Sequence, residues 1–204
     1  MDYATELAAW DARFAGETYF YGTAPNAFLV SQSSRLKPGM EALAVADGEG
    51  RNGTWLAEQG VNVLSVDFSS TALAKAQRLA AQRGVSLKTH CANLATWDWG
   101  PARFDLVVAI FIQFAAPALR EVIFRRIKEV LLPGGILLLQ GYRPEQVNYK
   151  TGGPPQAENL YAAPLLREAF GDFGILHLAE YDAEIAEGSG HHGMSALIDL
   201  VAQK

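Results

Sequence analysis

The stretch Leu43-Ala44-Val45-Ala46-Asp47-Gly48-Glu49-Gly50-Arg51-Asn52-Gly53 decides how the chain is read. A short apolar run ends in a glycine-rich turn and residues suited to a helix follow at once, so the stretch reads as strand, tight loop and helix start. Small residues let a backbone come close to a ligand where a Cβ would block it. The first N–H groups of the helix have no partner inside it and are left for polar ligand atoms. Gly48, Gly50 and Gly53 complete the spacing G-x-G-x-x-G. That spacing takes its meaning from context: a strand before it, a helix after it and an acid beyond the next strand.

From residue 42 onward, strand and helix alternate. Trp55, Leu56 and Ala57 sit in the helix after the loop, and Gly60 closes it. Val61 to Val66 is a strand with Asp67 at its carboxyl end. Ser69 or Ser70 caps a helix whose Ala72, Leu73, Ala76, Leu79 and Ala80 recur at helical spacing. Val85, Leu87, Thr89 and Cys91 alternate as an edge strand, and Phe104 to Ile112 reads as a strand buried on both faces. Pro117 suits a first helical position, the helix runs to Leu131, and Pro133-Gly134-Gly135 is expected to break it before the apolar strand Ile136 to Leu139. Residues 141–161 are rich in Gly and Pro and read as a long functional or mobile loop. A short helix over about Pro164 to Phe170 follows. Ile175 to Tyr181 and Met194 to Ala202 then form two last strands, joined by the polar stretch Glu184 to Gly193. The sum is α/β: an open, doubly wound sheet with an antiparallel intruder at its end. Ligands of such sheets lie at the carboxyl ends of the strands, beside strand 1.

Residues 1–40 precede this core. Trp10, Phe14, Tyr19, Phe20, Tyr21 and Phe28 crowd there, with Trp10 and Phe14 on one helical face. The segment is either an amphipathic lead-in packed on the core or a lid over a ligand on the glycine loop, hinged at Gly22-Thr23-Ala24-Pro25-Asn26. A second helix is expected from about Ala27 to Leu36, ended by Pro38-Gly39.

Composition narrows the function. The 204 residues suit one domain, 1–204, divided into the lead-in or lid (1–40) and the core (42–204). A net charge of −5 without a basic run argues against a nucleic-acid partner. Cys91 is the one cysteine, so no intrachain disulfide forms and a reducing, cytoplasmic setting fits. No secretory signal and no apolar run of membrane-spanning length is read, so no membrane partner is expected. His90-Cys91 and His191-His192 lack a second pair at metal-ligand spacing, and no metal is expected. Ser189 near His191 has no nucleophile elbow around it. Asp182, Glu184 and Glu187 read as a solvated acidic stretch.

Asp67 is the second anchor, 17 residues beyond Gly50. A carboxylate there accepts hydrogen bonds from both ribose hydroxyls of a nucleoside cofactor, or else serves as a helix-start acid. Phe68 offers an apolar face to an adenine. Asn93 either reads the adenine edge or makes a turn.

Taken together, Asp47-Gly48-Glu49-Gly50-Arg51-Asn52, Val66-Asp67, Phe104-Asp105-Leu106-Val107-Val108 and Leu132-Pro133-Gly134-Gly135 resemble the class I S-adenosylmethionine-dependent methyltransferases. The lead-in, Trp10-Asp11-Ala12-Arg13-Phe14 with Tyr19-Phe20-Tyr21-Gly22-Thr23, resembles the branch of tellurite-resistance and thiopurine or thiol methyltransferases. The resemblance implies a seven-stranded, mostly parallel Rossmann-like sheet with its last strand antiparallel. It implies S-adenosylmethionine as cofactor, S-adenosylhomocysteine as product and a small acceptor, with a thiol, selenium or tellurium nucleophile among the candidates. The implied cofactor residues are Trp10, Tyr21, Ala46, Asp47, Gly48, Gly50, Asn52, Asp67, Phe68, Asn93, Leu94, Ile110 and Phe111. Ala44, Ala46 and Asn93 depart from the family pattern, which usually has an acid, a glycine and an aspartate there. Gln113, Tyr142, Tyr149, Tyr161 and His191 are acceptor-pocket candidates by loop position. A monomer or weak homodimer is expected.

Methyl transfer from a sulfonium needs positioning and exclusion of water more than a triad, and no triad is seen. Ile110-Phe111-Ile112-Gln113 stands where a base-amine methylase carries an Asn-Pro-Pro-Tyr-like run. Two other readings remain. One is an NAD-dependent oxidoreductase, since G-x-G-x-x-G is formally present. The other is a non-catalytic S-adenosylmethionine-binding protein, suggested by the three departures. Titration with S-adenosylhomocysteine and NADH separates the oxidoreductase from the other two.

Overall fold

The computed structural model describes residues 3–204. The chain divides into two compact units: residues 3–97 with 187–190, and 98–186 with 191–204. The fold is α/β, with a seven-stranded mixed sheet and flanking helices.

In the first unit, helix α1 (Tyr3–Phe14) leads to the short α2 (Ala27–Ser31), where the Asn26 side chain caps by accepting from Leu29 N. The helix expected over 27–36 stops early, and a 3-10 turn at Ser33–Arg35 takes its place. Serines favour such turns because their side chains compete with helical backbone bonds; Ser31 Oγ donates to Phe28 O at 2.6 Å. Strand β1 (Glu41–Val45), helix α3 (Arg51–Glu58), strand β2 (Asn62–Asp67), helix α4 (Ser70–Gln82) and strand β3 (Lys88–Cys91) complete this unit. Both strand pairs are parallel, in the order β3-β2-β1, with Val45 opposite Val66 and Asp67 opposite Cys91. Ser69 caps α4 by accepting from Ala72 N. The apolar face read from the sequence, Ala72, Leu73, Ala76, Leu79 and Ala80, is buried as expected.

The second unit opens with β4 (Phe104–Ile110), buried along nearly its whole length as a central parallel strand should be. Helix α5 (Pro117–Val130) starts on Pro117, and β5 (Leu131–Tyr142) follows without a gap. The expected break at Pro133-Gly134-Gly135 is bridged by the chain end. Gly134 N donates to Lys204 O at 2.7 Å, and Lys204 N donates to Gly135 O at 3.0 Å. Residues 141–161 hold a one-turn helix α6 (Gln146–Tyr149) and a 3-10 turn (Ala157–Asn159), and α7 (Ala163–Ala169) follows. The buried Gln146 amide organises this segment: it donates to Thr151 Oγ1 and Gly152 O and accepts from Ala196 N.

Strands β6 (Gly174–Glu187) and β7 (His191–Gln203) are far longer than the sequence suggested, leaving only residues 188–190 as the turn. The polar, glycine-containing stretch 184–193, which reads as a connection, is mostly strand. Alternating residues of β6 face inward, and Tyr181, Ala183 and Ile185 pack on Tyr142, Leu160 and Leu197. The order is β4-β5-β7-β6, parallel for β4/β5 and antiparallel for β5/β7, where Tyr142 stands opposite Leu197.

Candidate functional site

The loop between β1 and α3 is built by backbone conformations that most residues avoid. Ala46 (φ 50°), Gly48 (φ 57°) and Gly50 (φ 80°) are all left-handed. For Ala46 this costs about 1–2 kcal/mol. The three glycines of the sequence pattern do different work. A Cβ on Gly50 would lie 2.4 Å from Ala76 Cβ, so this glycine lets α4 approach the loop. A Cβ on Gly53 would lie 2.4 Å from Asp47 Oδ2, so Gly53 makes room for that carboxyl group. Gly48 alone has space, with the Phe14 ring tip 3.8 Å from where its Cβ would be.

Asp47 faces inward. Its carboxyl accepts from Gly53 N at 3.2 Å and from Ser65 Oγ at 2.9 Å, closing the loop on α3 and β2. Burial raises its pKa from 3.8 to about 7, against the opposing pull of those two donors. Asp67, at the end of β2, is 5% exposed, because the loop folds its own amides onto it. Gly48 N donates to Oδ2 and Ser69 N to Oδ1, each at 2.9 Å. Burial raises the pKa of Asp67 as well, and Asp11 of α1 adds a smaller push in the same direction. Asp11 accepts from Ser69 Oγ at 2.5 Å, which docks α1 on the start of α4. A carboxylate has about four acceptor positions, so the backbone bonds that Asp67 accepts from Gly48, Ser69 and Phe68 leave capacity for a further donor.

The remaining cofactor candidates of this unit fall into two groups. Phe68 is half-buried beside Asp67, and its carbonyl accepts from Cys91 Sγ. Asn93 spends its side-chain carbonyl on Ala95 N at 2.9 Å, the turn reading of this residue, and Leu94 is buried behind it. Asn52 faces the lead-in, accepting from Asn26 N at 2.9 Å. Trp10 stacks on Phe14 with ring centroids 5.6 Å apart, under the Arg13 guanidinium. Phe14 in turn meets Tyr21 at 6.4 Å, and burial raises the phenol pKa of Tyr21. The hinge expected at 22–26 is tied down. Gly22 N donates to Tyr19 O, and Asn26 bonds both Asn52 and Glu187. Glu187 also pairs with Arg51 at 2.6 Å, so it is not a solvated acid.

In the second unit Phe111 follows Ile110 at the end of β4 with φ 54°, a conformation strained for an aromatic residue. Its ring lies 4.6 Å from Tyr142 and 4.4 Å from His191, and Tyr142 and His191 meet at 5.6 Å. Three of the sequence candidates are thus brought together. Gln113 is buried against β5. Its amide brackets the backbone of Tyr142, donating to the carbonyl at 2.8 Å and accepting from the N–H at 2.6 Å. Tyr161 is fully buried, its phenol lacks a partner among the described residues, and burial drives its pKa far up. Tyr149 lies at the surface and donates to Asp182.

The sequence reading passed over Glu49 and Lys75. A lysine inside the apolar stripe of α4, one residue before Ala76, was the available signal.

Residues 42–135 match the methyltransferase domain family. The left-handed glycine loop and the buried Asp67 both lie within that match. A protein of Mycobacterium tuberculosis is 30% identical over 180 residues, covering 78% of this chain and 65% of its own. The chain therefore spans less than two thirds of the length of that relative. A structure solved for the conversion of a disulfide bond into a thioacetal group in echinomycin biosynthesis superposes with TM-score 0.79 at 17% identity, covering 97% of this chain and 91% of that one. TehB from Haemophilus influenzae gives 0.72 at 19% identity, over 89% of this chain and 63% of its own. The N-methyltransferase NodS of Bradyrhizobium japonicum, in complex with S-adenosylhomocysteine, gives 0.73 at 11% identity and 97% of both chains. Among the described residues no helix is long and apolar enough to cross a membrane, and no cluster of metal-ligating side chains occurs.

Proposed function

We propose that this protein transfers the methyl group of S-adenosylmethionine to a small acceptor with a soft nucleophile, a thiol or a selenium or tellurium anion. The observation that carries the reading is the pairing of the glycine loop with Asp67: Gly48 N is fixed on a buried carboxylate that retains acceptor capacity for ribose hydroxyls. The family match over residues 42–135 and the S-adenosylhomocysteine complex of the NodS relative support the cofactor. The similarity in fold to a structure solved for the conversion of a disulfide bond into a thioacetal group in echinomycin biosynthesis supports a soft acceptor.

The cofactor supplies an electrophilic methyl on a sulfonium. The residues of this chain have to hold, orient and dehydrate. Asp67 would hold the ribose, and Phe68 would lie against the adenine. Phe14, Trp10 and Tyr21 form the aromatic cover beside Gly48. Phe111, Tyr142 and His191 offer an aromatic wall for the acceptor, with the Phe111 backbone pinned by its N–H to Gln140 O at 2.8 Å. A thiolate or selenolate is populated near neutral pH, so a strong base is not required.

The test is transfer of labelled methyl from S-adenosylmethionine to a panel of thiols, selenite and tellurite, with amines and isoaspartyl peptides as contrast. Label on the soft acceptors supports the proposal. Label on the amines or peptides alone overturns the acceptor class while leaving the cofactor in place.

A further inference from the structure

We propose that Glu49 and Lys75 are positioning residues for the cofactor: a buried ion pair that locks residues 14–21 onto the glycine loop. The inference rests on the S-adenosylmethionine reading above.

Both side chains are 2% exposed, and the Lys75 ammonium contacts Glu49 Oε1 directly. The same ammonium donates to the carbonyls of Phe14 at 3.3 Å, Gly16 at 2.9 Å and Thr18 at 2.7 Å. An ammonium has three N–H donors, so these four oxygens leave it nothing to offer to solvent. Tyr19 closes the wrap: its hydroxyl donates to Lys75 O at 3.1 Å, and its ring lies 5.1 Å from the ammonium. The other oxygen of Glu49, Oε2, accepts from Phe20 N at 2.7 Å and Tyr21 N at 3.3 Å. Eight consecutive residues of the lead-in are thus wound around one charge pair.

Stability alone is a poor reason for this arrangement. Burying two charges costs several kcal/mol each, and apolar residues of similar volume commonly serve as well. What the pair adds is geometry. Glu49 lies between Gly48, whose N–H holds Asp67, and Gly50, on which α4 packs. One side chain therefore ties the loop that meets the cofactor to the segment that carries Phe14 and Tyr21. The turn at 188–190 completes the hold on the far side: Ser189 N and Gly190 N donate to Phe20 O at 2.9 and 3.3 Å. A Cβ on Gly190 would lie 2.4 Å from the Tyr21 ring. Residues 14–22 are therefore held from both sides.

Three variants are compared with wild type by calorimetric titration with S-adenosylhomocysteine, thermal unfolding and amide exchange of residues 14–21: Lys75→Met, Glu49→Gln, and the double variant Glu49→Leu with Lys75→Met. Each is expected to raise the dissociation constant about tenfold or more and to speed exchange of residues 14–21. The double variant, which refills the site with apolar volume, is expected to regain most of the thermal midpoint lost by Lys75→Met without regaining affinity. A double variant that regains both shows the pair to be structural only and overturns the inference. If the double variant does not fold, Glu49→Gln decides, and an unchanged dissociation constant there overturns it equally. Wild-type protein that binds no S-adenosylhomocysteine overturns the cofactor reading and this inference with it. Wild type that binds, with variants that bind equally well, overturns this inference alone.

Discussion

Replacing Asp47 with asparagine should flatten the pH dependence of stability by a calculable amount. The carboxyl is buried, and burial lifts its pKa from 3.8 to about 7. The folded state therefore holds this proton more tightly than the unfolded chain does. The resulting stabilisation is complete below pH 3.8 and disappears as the pH rises through about 7. At about 1.36 kcal/mol per pH unit of displacement, the loss across that window is about 4 kcal/mol. Asparagine has the same shape and no charge. Its carbonyl can accept from Gly53 N, and its amide can donate to Ser65 Oγ, so both partners of the wild-type carboxyl are kept. Urea unfolding of both proteins from pH 4 to pH 8 isolates the effect, because the difference cancels carboxylates common to both. The wild type should lose about 4 kcal/mol relative to the variant between these limits. Curves that stay parallel within about 1 kcal/mol would show that the Gly53 and Ser65 donors offset burial, and the account of the loop would fail.

Other substitutions test other parts of the account. Asp67→Ala removes the acceptor of Gly48 N and Ser69 N and should weaken S-adenosylhomocysteine binding by about 1.5–3 kcal/mol with the circular dichroism of the fold retained; an unchanged constant by calorimetry would make the carboxylate a loop brace only. Ala46→Gly relieves the left-handed backbone at φ 50° but frees the unfolded chain, so unfolding free energy should move by less than about 1 kcal/mol while ligand binds at least as tightly. A larger loss in a denaturant titration would mean that the Ala46 methyl packs usefully. Tyr161→Phe removes a buried phenol with no described partner and should leave the thermal midpoint unchanged or raise it; a drop of more than about 3 °C would reveal a bond to that hydroxyl.

The backbone plan was legible in the sequence because it rests on local patterns. Apolar runs gave the strands, Ser69 and Pro117 gave helix starts, and the spacing after Val45 placed the glycine loop. The parts that were not legible depend on partners distant in sequence. Asp67 reads as a ribose-binding or helix-start acid, and nothing local shows that Gly48 N, 19 positions away in the chain, is folded onto it. Glu187 reads as a surface charge until Arg51 is found 136 positions earlier. Gln113 has the look of a ligand-binding amide, yet both its polar ends are spent on the Tyr142 backbone. Lys75 shows the limit most clearly. Its charge disrupts an otherwise regular apolar stripe, but only the winding of residues 14–18 around it explains why it is buried.

The measurement that bears most directly on the central claim is calorimetric titration of the wild-type protein with S-adenosylhomocysteine and, separately, with NADH. The account predicts saturable binding of S-adenosylhomocysteine with a dissociation constant below about 100 μM, and no binding of NADH at the same concentrations. No heat with S-adenosylhomocysteine at millimolar concentration, together with saturable binding of NADH, would contradict it.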